Sequence, residues 1–323
     1  MIRGFGIDGG RLQPVVDPLA SPAHVVWFDL FAPTTEEETQ LERVIGIDVP
    51  TREEMVEIED SSRLYLENGG IYMTATLPAK ADSGYPEPVP VTFILAGTRL
   101  VTVRYDTTRA FESFPERAER LDLGCVDGKS VLLALLEAIV ERLADILEAV
   151  ARDMEALSRE IFRRGAERED KAQDYREVLQ GVGKQGDVIS HVLASLVTLE
   201  RLLAFFAATN ATGSPAKDDR ARMKSLSRDT RFLGEHATFL AQKVTFLLDA
   251  TLGMISIQQN AIIKIFSVAA VIFLPPTLVA SIYGMNFQVM PELEWAIGYP
   301  MAILMMIASA VVSYWVFKTR GWL

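Results

Sequence analysis

The sequence predicts an α/β domain, a stalk of long helices and two membrane-spanning helices at the C-terminal end. Three observations predict this arrangement. Strand-like runs alternate with helix starts up to about residue 106, the strand signal disappears after about residue 130, and two long apolar runs lie near the end. The predicted boundaries are 1–127 for the α/β domain, 128–261 for the helical stalk and 262–323 for the membrane domain.

Composition limits the classes of function. The 323-residue chain has a formal net charge of -11 and one cysteine, Cys125. An acidic protein is a poor nucleic-acid binder, because such binding needs clustered Lys and Arg, but it can attract cations. The single cysteine excludes an internal disulfide and fits a reducing compartment. Residues 1–10 have no apolar core of signal-peptide length, so we expect the N-terminal body to stay in the cytoplasm.

The α/β domain is predicted from five strand-like runs and two helix starts. The strand-like runs are residues 25–30, 63–66, 70–77, 89–96 and 100–105. One helix starts at Thr34 or Thr35, and a second starts at Thr51, where Glu54 completes a capping box. Residues 82–90, rich in Pro and Gly, predict a turn or loop. Because the strands cluster early in the chain, we expect a small mixed sheet.

Three long helical patterns follow the strands. Apolar residues recur at helical spacing over about 131–164, and a second pattern covers about 167–207 before residues 208–215 interrupt it. A third helix starts near Lys217 and meets no proline until Pro275. It would continue into the first apolar run and reach roughly 100 Å in length. Such a length predicts a stalk that leads into a membrane.

The two apolar runs predict bilayer crossings at about 265–284 and about 296–317, joined by a loop at 285–295. Lys264 precedes the first run and Arg320 follows the second, whereas the loop has no Lys or Arg. The positive-inside rule therefore predicts that both termini are cytoplasmic and that the loop is outside.

Motifs for an enzyme or a nucleotide site are weak. The Gly-Lys-Ser at 128–130 lacks the upstream glycine of a phosphate-binding loop, since position 123 is Leu. A helix N-terminus capped near Asp127 explains these residues better. The histidines show no metal-ligand spacing, and no catalytic triad is visible. We therefore expect no catalytic residues, no enzymatic activity and no nucleotide.

One face of the first predicted span carries apolar and hydroxyl side chains at intervals of three or four residues. Its members are Ile263, Phe266, Ala270, Leu274, Thr277 and Ser281. In a monomer this face would be an ordinary packing stripe. Because two spans cannot enclose a pore, a conducting path would need several copies around an axis. Pro275 and Pro276 have no N–H, so two backbone carbonyls one turn earlier lose their helical hydrogen bonds. This fits either a simple helix kink or a water-filled pore that hydrates those carbonyls.

Several acidic residues have two interpretations. In the simpler interpretation, Asp229 and Asp249 on the stalk are solvent-exposed acids with no special role. In the more specific one, they bind divalent cations between subunits. Glu292 and Glu294 in the loop would form an outer acidic rim that raises the local cation concentration.

The end of the first span carries a recognisable pattern. Residues 283–287 read Tyr-Gly-Met-Asn-Phe, Met-Pro-Glu-Leu follows at 290–293, and Gly-Tyr-Pro follows at 298–300. With Phe-Leu-Pro-Pro-Thr at 273–277 and Trp-Phe-Asp-Leu at 27–30, the chain resembles the CorA family of magnesium transport proteins. The resemblance covers nearly the whole chain, and it is specific at the tail and diffuse in the body.

The resemblance implies a homopentameric, funnel-shaped channel in the cytoplasmic (inner) membrane. Such channels take up Mg²⁺, and often Co²⁺ and Ni²⁺, down the membrane potential. Mg²⁺ would be both the transported ion and a regulatory ion that acts from the cytosol. The family's regulatory sites lie between cytoplasmic domains, and Asp229 is the candidate here.

The family's pore residues carry over to this sequence position by position. The selectivity filter becomes Gly284, Met285 and Asn286, with an outer amide ring formed by Asn286. The apolar constriction becomes Ile263, Phe266 and Leu274, and the polar pore positions become Thr277 and Ser281. Amide oxygens suit hydrated Mg²⁺, because that ion loses its water reluctantly and the amides can accept hydrogen bonds from its water shell.

Two alternatives stay open at this point. The same fold could move Zn²⁺ or another transition metal. In a different class of function, the chain could be a membrane-tethered scaffold or sensor that does not conduct.

Overall fold

The computed structural model describes residues 1–57, 59–80, 86–166, 172–210, 217–286, 290–295 and 297–320. By its internal contacts the chain divides into two compact units, Met1–Leu248 and Asp249–Leu323.

The first unit begins with strands and short helices and continues with long helices. Its elements are β1 (Ile2–Asp8), β2 (Arg11–Val15), β3 (Trp27–Phe31), α1 (Thr35–Ile45), α2 (Arg52–Val56), α3 (Asp60–Arg63), β4 (Leu64–Glu67), β5 (Gly70–Ala79), β6 (Glu87–Ala96), β7 (Arg99–Arg104), α4 (Arg109–Arg120), α5 (Gly128–Ala166) and α6 (Ala172–Asn210). The first part of α7 (Lys217–Tyr283) completes this unit.

The strands form one sheet in the order β2-β1-β3-β7-β6-β5-β4. Strands β3 and β7 are parallel, and the other neighbouring pairs are antiparallel. The prediction of a mixed α/β domain is therefore confirmed. The sheet is larger than predicted, because β1 and β2 had no sequence signal of their own.

Both faces of the sheet are covered, since successive side chains of a strand point to opposite faces. On one face, Phe28 packs in a buried cluster that includes Leu41 of α1 and Met55 of α2. On the other face, Trp27 packs edge-on against Phe114 of α4, with the ring centroids 5.6 Å apart. The long helix α6 also contacts the sheet, where the Thr76 amide donates to the Thr198 hydroxyl at 3.0 Å.

The predicted helix starts are present. Thr34, rather than Thr35, is the N-cap of α1, and Thr51 is the N-cap of α2; both form capping boxes. The Gly-Lys-Ser segment begins α5, and the Asp127 carboxylate accepts from the Ser130 amide at 2.8 Å. The helix-cap interpretation of this segment is thus confirmed.

Two local predictions need correction. Residues 82–90 are not all loop, because β6 begins at Glu87 and includes Pro88 and Pro90. Pairing of β6 with β7 begins only at Val91, so both prolines lie where one side of β6 is unpaired and a missing N–H is tolerated. In addition, helix α4 was not predicted; Pro115 lies within it, and proline inside a helix argues against a helix assignment.

The long helices match the predicted pattern. Helix α5 covers the predicted 131–164, and α7 starts at Lys217 as expected and continues without interruption through Pro275 and Pro276. The interruption expected at 208–215 lies partly within α6, which continues to Asn210, and residues 211–216 lie outside the described part.

The second unit contains the end of α7, a short 3₁₀ turn (Pro291–Glu294) and α8 (Gly298–Thr319). Helix α8 is apolar along nearly its whole length and has Lys318 in its last turn.

Candidate functional site

The C-terminal part of α7 has two unlike sides. Six predicted positions are exposed: Ile263, Phe266, Ala270, Leu274, Thr277 and Ser281. At 3.6 residues per turn they fall within an arc of about 80°. Buried or half-buried positions lie on the opposite side: Val268, Ala269, Ile272, Pro275, Pro276, Val279 and Tyr283. The six positions therefore lie together on the part of the helix surface that a single chain leaves open, and Phe273 and Leu278, on either side of their arc, are exposed as well.

The large apolar members of this face are strongly exposed. Ile263 is 61% exposed, Phe266 is 71% exposed and Leu274 is 64% exposed. Contiguous exposed apolar surface marks a site of contact with lipid, protein or another partner.

Thr277 lies next to the two prolines. Because a proline has no N–H, the carbonyls of Val271 and Ile272 cannot receive their usual helical hydrogen bonds. The Thr277 hydroxyl donates to the carbonyl of Phe273 at 2.7 Å. Its proton is therefore used within the helix, and its remaining lone pairs can accept hydrogen bonds, as a site for cations or their bound water requires.

The Gly-Met-Asn residues lie where α7 ends. The Gly284 amide donates to the Ala280 carbonyl at 2.9 Å, and the Met285 amide donates to the Ile282 carbonyl at 3.3 Å. A Cβ added at Gly284 would lie 3.1 Å from the Ala280 oxygen, so the backbone approaches closely here. Asn286 follows this turn and is exposed. Phe287, the last residue of the quoted motif, lies outside the described part of the chain.

The loop acids are described only in part. Glu294 is exposed at the end of the 3₁₀ turn, whereas the side chain of Glu292 lies outside the described part. No side chain with a full charge lies between Lys264 and Glu292 in the sequence. A cation that passed along the exposed face of α7 would therefore meet neutral groups.

Asp229 lies on α7 in the first unit. It accepts from the Ser225 hydroxyl at 3.3 Å and lies 3.9 Å from the Arg228 guanidinium. A groove between α5 and α7 contains Asp229 together with Glu137 and Arg222. Arg222 donates twice to the Glu137 carboxylate, at 2.9 and 2.7 Å, and this pairing raises the pKa of Arg222.

The acids near Asp229 are therefore partly neutralised by arginines. Within the described residues, no group of three or more His, Cys, Asp or Glu side chains could hold a metal ion. The described residues thus do not complete a metal site around Asp229.

The exposed face of α7 also continues upstream of the predicted positions. Gln259, Ser256 and Leu252 are exposed and precede Ile263 at intervals of four, three and four residues. The same spacing rule would have found them. They precede the apolar run of the first predicted span, which is the signal that marks the other positions.

Three helices in the described part are long and apolar enough to cross a membrane. The segments are Tyr175–Thr209, Asp218–Tyr283 and Gly298–Thr319. In the most apolar stretch of the first, 39% of the residues are buried, compared with 6% in each of the other two. The first segment packs against the sheet of its own unit.

A family profile described as CorA-like Mg2+ transporter protein matches residues 22–319 of the chain. The chain belongs to the CorA family. The resemblance noted in the sequence is thereby confirmed.

Similar proteins match this chain over its whole length. The magnesium transport protein CorA of Pasteurella multocida (strain Pm70) is 37% identical over 324 residues, which is 100% of both chains. The magnesium transport protein CorA of Escherichia coli (strain K12) is 35% identical over 326 residues, again 100% of both.

Solved structures share the CorA fold at lower identity. The complete structure of the CorA magnesium transporter from Methanocaldococcus jannaschii has a TM-score of 0.77 at 19% identity, covering 100% of this chain and 99% of that one. The full-length CmaX protein has a TM-score of 0.69 at 17% identity, covering 99% and 97%. At these identities the likeness concerns the fold, an α/β domain followed by long helices.

Proposed function

We propose that this CorA-family protein is a divalent-cation channel that takes up Mg²⁺ across the cytoplasmic membrane. The observation that carries the proposal is the open face of α7, whose polar positions lead to Asn286. Full-length similarity to proteins named magnesium transport protein supports Mg²⁺ as the substrate. Co²⁺ and Ni²⁺ belong to the same proposal as secondary substrates.

The proposed channel is a homopentamer with two spans per chain, at about 265–284 and about 296–317. A single α7 cannot surround a pore, so several copies must bring their open faces together. The burial contrast supports the choice of spans, because α6 is packed into the first unit whereas the spans are barely buried. The proposed topology has both termini in the cytoplasm and the acidic loop outside.

The proposed path has three parts. Asn286 provides amide oxygens at the outer mouth, where Glu292 and Glu294 raise the local concentration of cations. Thr277 and Ser281 accept hydrogen bonds from the water shell of the ion. Leu274, Phe266 and Ile263 form apolar rings that close the path by dewetting. Gly284 and Met285 position the amide ring at the helix end.

The membrane potential is the proposed driving force. A divalent ion that moves inward gains about 4.6 kcal/mol per 100 mV, because each elementary charge gains about half of that. An energy-coupling nucleotide is therefore not needed.

Mg²⁺ flux into liposomes that contain the purified protein tests the proposal. We expect Asn286→Ala to reduce the flux by at least about tenfold, because the lost amide accepted hydrogen bonds from a charged hydrate. Gln258→Ala, which removes an amide from the opposite side of α7, should leave the flux unchanged. Liposomes that stay impermeable to every divalent ion would overturn the proposal. Flux of Zn²⁺ without Mg²⁺ would reassign the substrate.

A further inference from the structure

Helix α7 carries an exposed aromatic stripe within the first unit. This phenylalanine stripe consists of Phe232, Phe239 and Phe246, which follow one another at intervals of seven residues and are 66%, 59% and 57% exposed. Seven residues make about two helical turns, so the three side chains lie along one side of the helix. Phe162 of α5 is also exposed, and its ring centroid lies 6.3 Å from that of Phe246. The stripe is therefore a long apolar surface rather than a single exposed residue.

The stripe lies between two other faces of α7. One face is buried or half-buried in the unit, with residues at alternating intervals of three and four: Thr230, Leu233, Ala237, Leu240, Val244 and Leu247. The other face is polar and exposed, and it consists of Arg231, Glu235, Thr238, Gln242 and Thr245. At 3.6 residues per turn, the stripe lies about 110° from the buried face and about 100° from the polar face.

The spacing of the stripe indicates the kind of surface that covers it. A seven-residue apolar repeat stays on one side of a helix that winds around another helix, and this is the repeat of coiled coils. The buried face of α7 has the same period and is already occupied within its own unit. The stripe repeats this period on a side that the unit leaves open, so it fits one further long helix.

A second copy of this chain can supply that helix, whereas a bilayer is out of reach. Phe246 precedes the first predicted span by about 19 residues, which is about 28 Å of helix. The same helix α7 continues into the proposed ion path, and an ion path needs several copies around one axis. Long helices of neighbouring copies would then run beside each stripe.

We propose that the phenylalanine stripe is a subunit contact of the first unit, packed against a long helix of a second copy of this chain. The neighbouring polar face then stays in contact with water. This inference rests on the proposed function, which requires several copies, and it adds the surface through which the first unit joins them.

Photo-cross-linking of the purified full-length protein in liposomes tests the contact. p-Benzoylphenylalanine in place of Phe239 should give covalent bands of two or more chains on a denaturing gel, because its ring would touch a neighbouring copy. The same photoreactive residue in place of Val16, which is fully exposed after β2 and lies outside the stripe, should give single chains. Cross-links from position 239 that stay within one chain, or that go to lipid, would overturn the proposal.

Self-association over a dilution series in detergent, followed by light scattering, gives a second test. Phe232→Ser combined with Phe239→Ser should raise the protein concentration at half-dissociation by at least about tenfold, because two apolar side chains lose their burial. Phe232→Leu combined with Phe239→Leu keeps the stripe apolar and should have a much smaller effect. Because both rings are exposed in a single chain, the serine pair should leave the helix content measured by circular dichroism unchanged.

This proposal and the proposed function fail in different ways. A wild type that is monomeric in detergent and in liposomes would overturn both. A wild type that assembles and carries Mg²⁺, while the serine pair dissociates no more readily than the control variant Val16→Ser, would overturn the contact at the stripe alone.

Discussion

At the scale of single residues, Asp29 holds together the centre of the sheet. Its carboxylate is fully buried and accepts from Arg104 Nε at 3.1 Å and from Arg104 Nη2 at 3.0 Å. The Thr102 hydroxyl donates to the same carboxylate at 2.9 Å, and Arg3 adds a second ion pair from β1. These contacts link three neighbouring strands through one side chain.

Replacing Asp29 should be costly. Asp29→Ala would leave the Arg104 guanidinium, which is 3% exposed, buried without its counter-ion, at a cost of about 3–5 kcal/mol. Denaturant titration followed by fluorescence, in a background where Trp295, Trp315 and Trp322 are replaced by Phe so that Trp27 reports alone, measures the loss. Glu87→Ala breaks an exposed pair with Lys80 and should cost no more than about 1 kcal/mol. Equal midpoints for the two variants would contradict this account of Asp29.

The single cysteine should be unreactive in the folded protein. Burial raises the pKa of the Cys125 thiol from 9.0 to about 11, although Arg222 nearby lowers it slightly. At neutral pH the thiolate fraction then falls about a hundredfold, and the thiolate is the reactive form. Alkylation at pH 8 should therefore be slow in the folded protein, fast in denaturant, and faster as the pH approaches 11. Rapid labelling of the folded protein at pH 8 would show that the thiol is accessible.

At the scale of elements, the sequence predicted what local patterns specify. The capping boxes at Thr34 and Thr51 identified their helices, because the N-cap and its partner lie three residues apart. The long helix α7 and the apolar α8 followed from spacing and hydropathy.

The elements that depend on tertiary contacts, strand β1 and helix α4, were not predicted from the sequence. Strand β1 contains Gly4 and Gly6, which have weak strand preference. The fold requires them, since a Cβ would lie 2.3 Å from Pro18 Cβ at Gly4 and 2.5 Å from the His24 carbonyl oxygen at Gly6. Helix α4 did have a signal, because Phe111, Phe114 and Ala118 are buried at helical spacing, but Pro115 obscured it.

The difference in exposure between the two sides of α7 predicts which introduced cysteines a thiol reagent can reach. With Cys125 replaced by Ala, cysteines at Thr277 and Ser281 should react with a small cationic thiol reagent, and the reaction should block Mg²⁺ flux. A cysteine at Val279, which is half-buried on the opposite side, should react slowly or leave the flux unchanged. Labelling rates and flux on the same liposomes give the comparison. Equal block at Thr277 and Val279 would contradict a pore lined by the exposed face.

At the scale of the whole molecule, the sequence could predict the part of the candidate site that one chain contains, but not the part that needs neighbouring chains. The six positions could be placed on one face of a single helix from their spacing, whereas Asn286, which follows the end of α7, was proposed from the resemblance of residues 283–287 to the CorA family. A ring of amides or a regulatory metal site needs neighbouring chains, and neither a single sequence nor a single folded chain contains that geometry. Asp229 illustrates the limit, since it contacts Ser225 and Arg228 and, among the described residues, belongs to no group of three or more His, Cys, Asp or Glu side chains that could hold a metal ion.

The net negative charge of the chain leads to a prediction about gating by cytosolic Mg²⁺. If carboxylates of adjacent subunits face one another, cytosolic Mg²⁺ would bridge them and hold the channel closed, and depletion of Mg²⁺ would let their repulsion open it. Current through reconstituted patches should therefore fall as Mg²⁺ on the cytoplasmic side rises. Asp229→Ala should shift half-inhibition several-fold toward higher Mg²⁺, whereas Asp8→Ala, which removes an exposed acid at the end of β1, should not. A current that does not respond to cytosolic Mg²⁺ would rule out gating by this ion, and an unshifted curve in Asp229→Ala would remove Asp229 from the regulatory site.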